Sequence, residues 1–272
     1  MSGALVLPMI GAAAGSWSLA GLATVGSVVL PGRRQFLDRL STALLIAGAV
    51  VLAVLLGGLW VYLDRAPMRT LGETRLWYAF LLPVIGLLIE WRLKTRALRI
   101  PMIAFGVLFL SINLLRPDYL DKTLMPALQS GWFVPHVVVY MVAYAALGLS
   151  CGVAVWALGS CWWQGREPQN SDAHLPILLM RLGLPFLTFG LLFGAIWAKE
   201  AWGHYWTWDP KETWAFLSWA VYLAALHLIH DREFTPKRIL WILALGFLVV
   251  LGCWFLVNYL PAAQVSVHTY AM

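Results

Sequence analysis

Long apolar runs alternate with short charged stretches along almost the whole chain. A helix that crosses a hydrocarbon core needs roughly 20 mainly apolar residues. By that measure the pattern predicts spans at residues 4–30, 43–63, 76–92, 100–115, 133–158, 176–198, 212–230 and 238–259. The third and fourth are short, and Pro83 and Pro101 soften their boundaries. The first run has no Lys or Arg before Arg33, so it lacks the basic leader of a signal peptide and is predicted to stay as the first helix. No repeat or linker divides the pattern. It predicts one all-α membrane domain over 1–272, a polytopic helical bundle of about eight transmembrane helices, with four spans in 1–125 and the rest in 126–272.

Composition agrees: 61% of the 272 residues are hydrophobic and 12% charged, where a soluble domain carries about a quarter charged residues. Cys151, Cys161 and Cys253 form no CxxC pair, which speaks against a thiol–disulfide carrier or a zinc site. The net charge of +6 sits in short segments between apolar runs, so it implies topology and no nucleic-acid partner. Alternate loops carry eleven basic residues (33–39, 92–99, 166 and 232–238) against seven in the others (65–75, 116–122 and 199–211), leaving out Arg181 inside span six. The positive-inside rule then places the richer set in the cytoplasm and both termini outside. The segment between spans six and seven lies on the outer face.

That segment, residues 201–215, reads AWGHYWTWDPKETWA. Part of it is a helix start, with Asp209 as N-cap, Pro210 at the first helical position and Glu212 closing a capping box. The tryptophans need another reason. Six of the chain's 16 fall in residues 197–219, where composition alone gives roughly 1.4. An interfacial aromatic belt places one or two rings at a helix end, not a run interleaved with Gly203, Thr207 and Asp209. Flat rings on a short outer segment suit a large flat ligand such as a porphyrin.

The histidines sharpen this reading. His174 and His230 fall in cytoplasmic loops beside Asp172 and Asp231, where solvated residues are the default. His136 opens span five, and His268 lies in the tail after span eight, so both share the outer side with the aromatic segment. Neutral imidazole is the commonest axial ligand of haem iron. Two histidines from separate spans would form a bis-histidine site, whereas each alone would be an interfacial residue bonded to backbone. His227 lies about 22 Å further in along span seven, at 1.5 Å per residue. It is either a neutral histidine bonded to a neighbouring helix or an inner haem contact.

WGHYWTWDPKETW closely resembles the signature of the WWD-domain haem-handling proteins. The resemblance is to the CcsA type of the cytochrome c synthase, with the Asp-Pro-Lys-Glu-Thr-Trp run separating it from the CcmC and CcmF types. PALQSGWFVPHVVVYMVAYAALG (126–148) and VNYLPAAQVSVHTY (257–270) are similar to the family's flanking histidine regions. The resemblance implies haem b as substrate, with His136 and His268 as outer axial and catalytic ligands. It implies that segment 202–214 holds the haem through Trp202, Gly203, Tyr205, Trp206, Trp208, Asp209 and Trp214. His227 corresponds to the family's transmembrane histidine, where haem enters from the cytoplasm. The implied activity is that of a cytochrome c haem lyase component, joining haem vinyl groups to the Cys-x-x-Cys-His thiols of an apocytochrome c. The implied membrane is the bacterial cytoplasmic membrane, or else a thylakoid, with the active site on the extracytoplasmic face.

Spans one to four hold no histidine and the chain has no large extracytoplasmic domain, so the resemblance also implies a CcsB-type membrane partner. Thiol-reducing proteins would accompany it. Two other classes compete: a HemX-like haem-binding regulator without synthase activity, and a b-type electron-transfer subunit. The second calls for histidine pairs at two depths, and the chain offers one outer pair and a lone inner histidine. A transporter without haem is a weaker third reading, since no inverted repeat is visible.

Overall fold

The computed structural model describes residues 5–117, 126–231 and 234–261. Among these there are eight α-helices and no strand: α1 (Val6–Val29), α2 (Arg34–Leu63), α3 (Leu71–Leu93), α4 (Arg99–Leu115), α5 (Phe133–Trp163), α6 (Asn170–Trp202), α7 (Pro210–Leu228) and α8 (Pro236–Trp254). The all-α, polytopic reading therefore holds, with one helix on each predicted span. By length and composition α1, α2, α3, α5, α6 and α8 can each cross a membrane. The 17-residue α4 is apolar but shorter. The 19-residue α7 is more polar, since it carries Lys211, Glu212, Ser218 and His227.

The helices outrun their apolar stretches. Helix α2 starts at Arg34, so Arg34 and Arg39 lie on a helix and not in a loop. Likewise α6 starts at Asn170, which places Asp172 and His174 in its first turns, a correction to their loop assignment. The reason is local chemistry. Asp172 accepts from the Gln169 backbone N–H at 2.8 Å and takes both prongs of Arg166 at 2.7 and 2.9 Å, which stabilises the helix start outside the apolar run. At the other extreme α8 stops at Trp254, five residues short of the expected end, and the chain tightens into a 3-10 turn at Leu256–Tyr259. Pro83, Pro176 and Pro185 lie inside helices without ending them. Membrane helices tolerate such prolines where the surroundings satisfy freed backbone groups, and here Ser150 of α5 also ties α6 by donating to the Pro176 carbonyl at 2.7 Å.

Two compact units make up the chain, residues 1–123 and 124–272. In the first, α1 packs on α2 and α4, and α3 on α4 and α2. Trp17 is wholly buried at the centre and donates through Nε1 to the Leu45 carbonyl at 3.1 Å. Gly48 and Gly106 make its room, since a Cβ at either would overlap the indole. One end is tied by Arg99, which bonds Glu90 at 3.1 Å, the Asp38 carbonyl and Thr42. The other end is tied by the two-pronged Arg65–Glu73 pair at 2.9 and 2.8 Å.

In the second unit α5 packs on α6 and α8, and α7 on α8 and α6. Small residues let these backbones approach. Gly183 and Gly190 of α6 receive Leu147 and Tyr140 of α5, while Gly252 of α8 receives Trp214 of α7.

Candidate functional site

Helix α6 ends at Trp202 because Gly203 takes the left-handed conformation, φ +86°, that a side chain would resist. Lys199 closes the end by donating to the Gly203 carbonyl at 2.7 Å, with its ammonium 5.5 Å above the Tyr205 ring. The chain then runs irregularly to Asp209, where α7 begins as the sequence indicates. Asp209 caps the Glu212 N–H at 2.8 Å, and Pro210 is the first helical residue.

Glu212 does more than close its box. Its buried Oε2 accepts from the Thr207 N–H at 2.7 Å, the Thr207 hydroxyl at 3.3 Å and the Asp209 N–H at 3.3 Å. One carboxylate thus folds the loop back onto the helix that follows it. The fold-back carries Trp208 at φ +60°, a conformation costing about 1–2 kcal/mol for a residue with a Cβ. Its ring is held outward, 62% exposed. Strain of this kind persists only where surrounding bonds over-determine it.

The rings form two rows. In the first, Trp206 meets Trp208 edge-on at 5.6 Å, Trp208 meets Phe216 at 5.6 Å, and Phe216 lies 5.7 Å from Trp219. Trp219 ends the row by donating to the Thr188 hydroxyl of α6 at 3.0 Å. In the same segment Trp206 Nε1, His204 Nδ1 and Glu212 Oε1 are buried without a hydrogen-bond partner, which is costly unless something occupies them.

The second row seats His136, in the first turn of α5. Its ring stacks on Trp197 at 5.4 Å and 28° and meets Tyr140 edge-on at 4.7 Å. Trp197 in turn touches Phe133 at 5.2 Å and Trp202 at 4.8 Å. Gly194 leaves the space, because a Cβ there would sit 2.8 Å from the imidazole. His136 Nδ1 lies 2.9 Å from the Gly190 carbonyl. A carbonyl only accepts, so Nδ1 carries the proton and Nε2 the lone pair, the arrangement that orients metal-binding histidines. Thr188 and Gly190 are two residues apart, about 200° around the helix, so the rows use different flanks of α6.

His227, in the last turn of α7, is exposed, and its Nδ1 is 2.8 Å from the Leu223 carbonyl of its own helix. It is therefore not the histidine bonded to a neighbouring helix that one reading expected. Its Nε2 also keeps the lone pair. Trp214 of α7 packs against Gly252 of α8. His268 lies outside the described residues. Sequence reasoning missed Glu212 as the organiser of the loop, although its place at the third helical position was a usable signal. It also missed Tyr140, Gly190 and Gly194 as the seat of His136; apart from the four-residue step to Tyr140, nothing local marks them.

Chemically the unit holds an oriented imidazole, exposed flat rings and buried polar atoms in want of partners. The family model for the cytochrome C assembly protein matches residues 68–263. Two similar proteins are named cytochrome c biogenesis protein CcsA. One, from a strain of Prochlorococcus marinus, is 33% identical over 266 residues, covering 84% of this chain and 83% of its own. The other, from Porphyra purpurea, is 31% identical over 284 residues, covering 86% and 88%. Among solved structures the cytochrome c haem lyase CcmF shares the fold, with a TM-score of 0.72 over 97% of this chain at 19% identity; the chain spans about half of it, 49%. With 196 of its 272 residues inside the family match, and with relatives of that coverage, the chain belongs to the cytochrome c assembly protein family.

Proposed function

We propose that this chain presents haem b on the outer face of the membrane and attaches it to apocytochrome c, as the CcsA component of a cytochrome c synthase. The observation that carries this reading is the seat of His136. Its Nδ1 proton is committed to the Gly190 carbonyl and its ring is clamped between Trp197 and Tyr140, so Nε2 carries the lone pair that would bind iron. The donor set fits a haem: an oriented imidazole, the exposed rings of Tyr205 and Trp208, and Trp206 Nε1 and His204 Nδ1 as buried polar atoms. His268 serves as the second outer ligand.

In this reading the residues position and the substrate reacts. His136 and His268 hold the iron, and the segment 202–209 grips the ring and leaves its vinyl edge outward. The histidine of the incoming Cys-x-x-Cys-His displaces one of them. Each cysteine sulfur then bonds one vinyl carbon while its proton goes to the other, so the addition needs neither oxidant nor leaving group. His227 is the inner contact on the way, complemented by a histidine of a CcsB-type partner, with thiol-reducing proteins keeping the substrate cysteines reduced. The membrane is the bacterial cytoplasmic membrane, or a thylakoid in a plastid.

The test is the spectrum and product of the His136→Ala variant, coexpressed with a CcsB-type partner and a reporter apocytochrome. Six-coordinate haem should be lost, covalent haem on the reporter should fall at least about tenfold, and added imidazole should restore part of both. Unchanged spectra and unchanged covalent product would remove the site. Wild-type protein that binds haem but yields no covalent product would instead make it a haem-binding regulator.

A further inference from the structure

At one end of the N-terminal unit the last turns of α1 and α3 meet the first turns of α2 and α4. Six exposed cations gather there, Arg33, Arg34, Arg39, Arg92, Lys94 and Arg96, around the buried Arg99. The two carboxylates among them, Asp38 and Glu90, are themselves buried. Asp38 is shared by Arg34 at 3.9 Å, Arg99 at 4.0 Å and Arg96 in closer contact, while Glu90 pairs with Arg99 at 3.1 Å. Seven cations against two carboxylates leave an excess of five positive charges at this end of the unit.

The crowding has a physical signature. Arg96 is held below its ordinary pKa, first by burial and then by the guanidiniums of Arg99 and Arg34. Such a cluster is stabilised by an added anion. Around it stand apolar residues in the open, Trp91 at 77% and Phe36 at 65% exposure, with Leu30 and Leu93 beside them. A purely solvated basic face has no use for an exposed indole. Aromatic rings beside Lys and Arg match the headgroup layer of a bilayer. Guanidiniums already braced by Asp38 can present paired N–H groups to a phosphate at little further ordering cost.

We propose that this end of the N-terminal unit binds the phosphate headgroup of an anionic phospholipid, with Trp91 and Phe36 seated at the depth of the glycerol backbone. The partner is the lipid itself, because the apolar rim needs acyl chains and a free phosphate has none.

The test compares wild type with the R33Q/R92Q/K94Q variant, which leaves Arg34 and Arg96 on Asp38. Each is reconstituted with its partner chains in phosphatidylcholine nanodiscs with and without phosphatidylglycerol. After transfer to mild detergent, retained lipid is measured by mass spectrometry. Wild type should retain phosphatidylglycerol over phosphatidylcholine and show a higher Tm when it is present. The variant should retain at least about tenfold less and lose the Tm response, while matching wild type in phosphatidylcholine alone. Equal retention by both proteins would overturn the proposal. So would a variant that keeps its phosphatidylglycerol but fails to load haem, which would assign the cations to the haem carboxylates. If inorganic phosphate at millimolar concentration reproduces the Tm response, the apolar rim has no role and the lipid assignment also falls.

Discussion

A single carboxylate decides the shape of the aromatic loop. Glu212 Oε2 collects three donors, two of them backbone N–H groups. Hydrogen bonds to a charged acceptor contribute about 1.5–3 kcal/mol each at most, so Glu212→Ala should release the loop and let Trp208 leave its left-handed conformation. Glu212→Gln keeps an accepting oxygen and should preserve most of the fold-back. The expected result is a large loss of haem loading and faster proteolysis within 203–209 for the alanine variant, with the glutamine variant between it and wild type. Equal behaviour of alanine and wild type would show that Trp208 is held by its ring contacts alone. The capping half of this arrangement was legible, since Asp-Pro-Lys-Glu is a helix start in any sequence. The bonds to Thr207 were not, because they depend on how tightly the chain turns before the cap.

At the scale of elements, apolar length located every helix but misjudged several ends. Hydropathy measures where hydrocarbon surrounds the backbone, whereas caps and ion pairs such as Asp172 with Arg166 extend a helix into the interface. It also says nothing of which helices touch. Trp17 shows the cost of that blind spot: nothing near it in sequence announces that Gly48 and Gly106, 31 and 89 residues on, will receive its indole. Trp17→Ala should leave a cavity between α1, α2 and α4 and destabilise the N-terminal unit by about 3–5 kcal/mol. Thermal unfolding in mild detergent measures it. A loss below about 1 kcal/mol would mean the helices close over the gap.

For the whole molecule the decisive quantity is orientation, which the loop charges predict with the 199–211 segment outside. Cysteines placed at Thr207 and Thr269 should react with an impermeant thiol reagent in intact cells, and labelling of either only after permeabilisation would reverse the topology. The same orientation separates two kinds of damage. Trp206→Ala or Trp208→Ala removes an edge contact worth about 0.5–1.5 kcal/mol beyond buried area, so haem should arrive but be poorly held. His227→Ala should starve an intact outer site, and haem supplied from outside should rescue it but not the tryptophan variants. Full loading of His227→Ala would leave that residue as an exposed histidine bonded to Leu223. The whole-molecule reading came from the sequence through its motif. The pairing of His136 with Gly190, 54 residues away, had to await the folded chain.

That pairing carries a consequence in genetics. In a random screen for lost cytochrome c, α6 should yield hits at the two glycines that seat Tyr140 and His136. Alanine at 194 would meet the imidazole of His136 at 2.8 Å, and alanine at 190 would meet the ring of Tyr140 at 2.8 Å. Both would phenocopy loss of the histidine. They should differ in their suppressors. Trimming Tyr140 to leucine removes the obstacle to Gly190→Ala and should revive it, whereas the obstacle to Gly194→Ala is the proposed iron ligand itself. Revertants of 190 should therefore map to α5, and those of 194 should be true reversions.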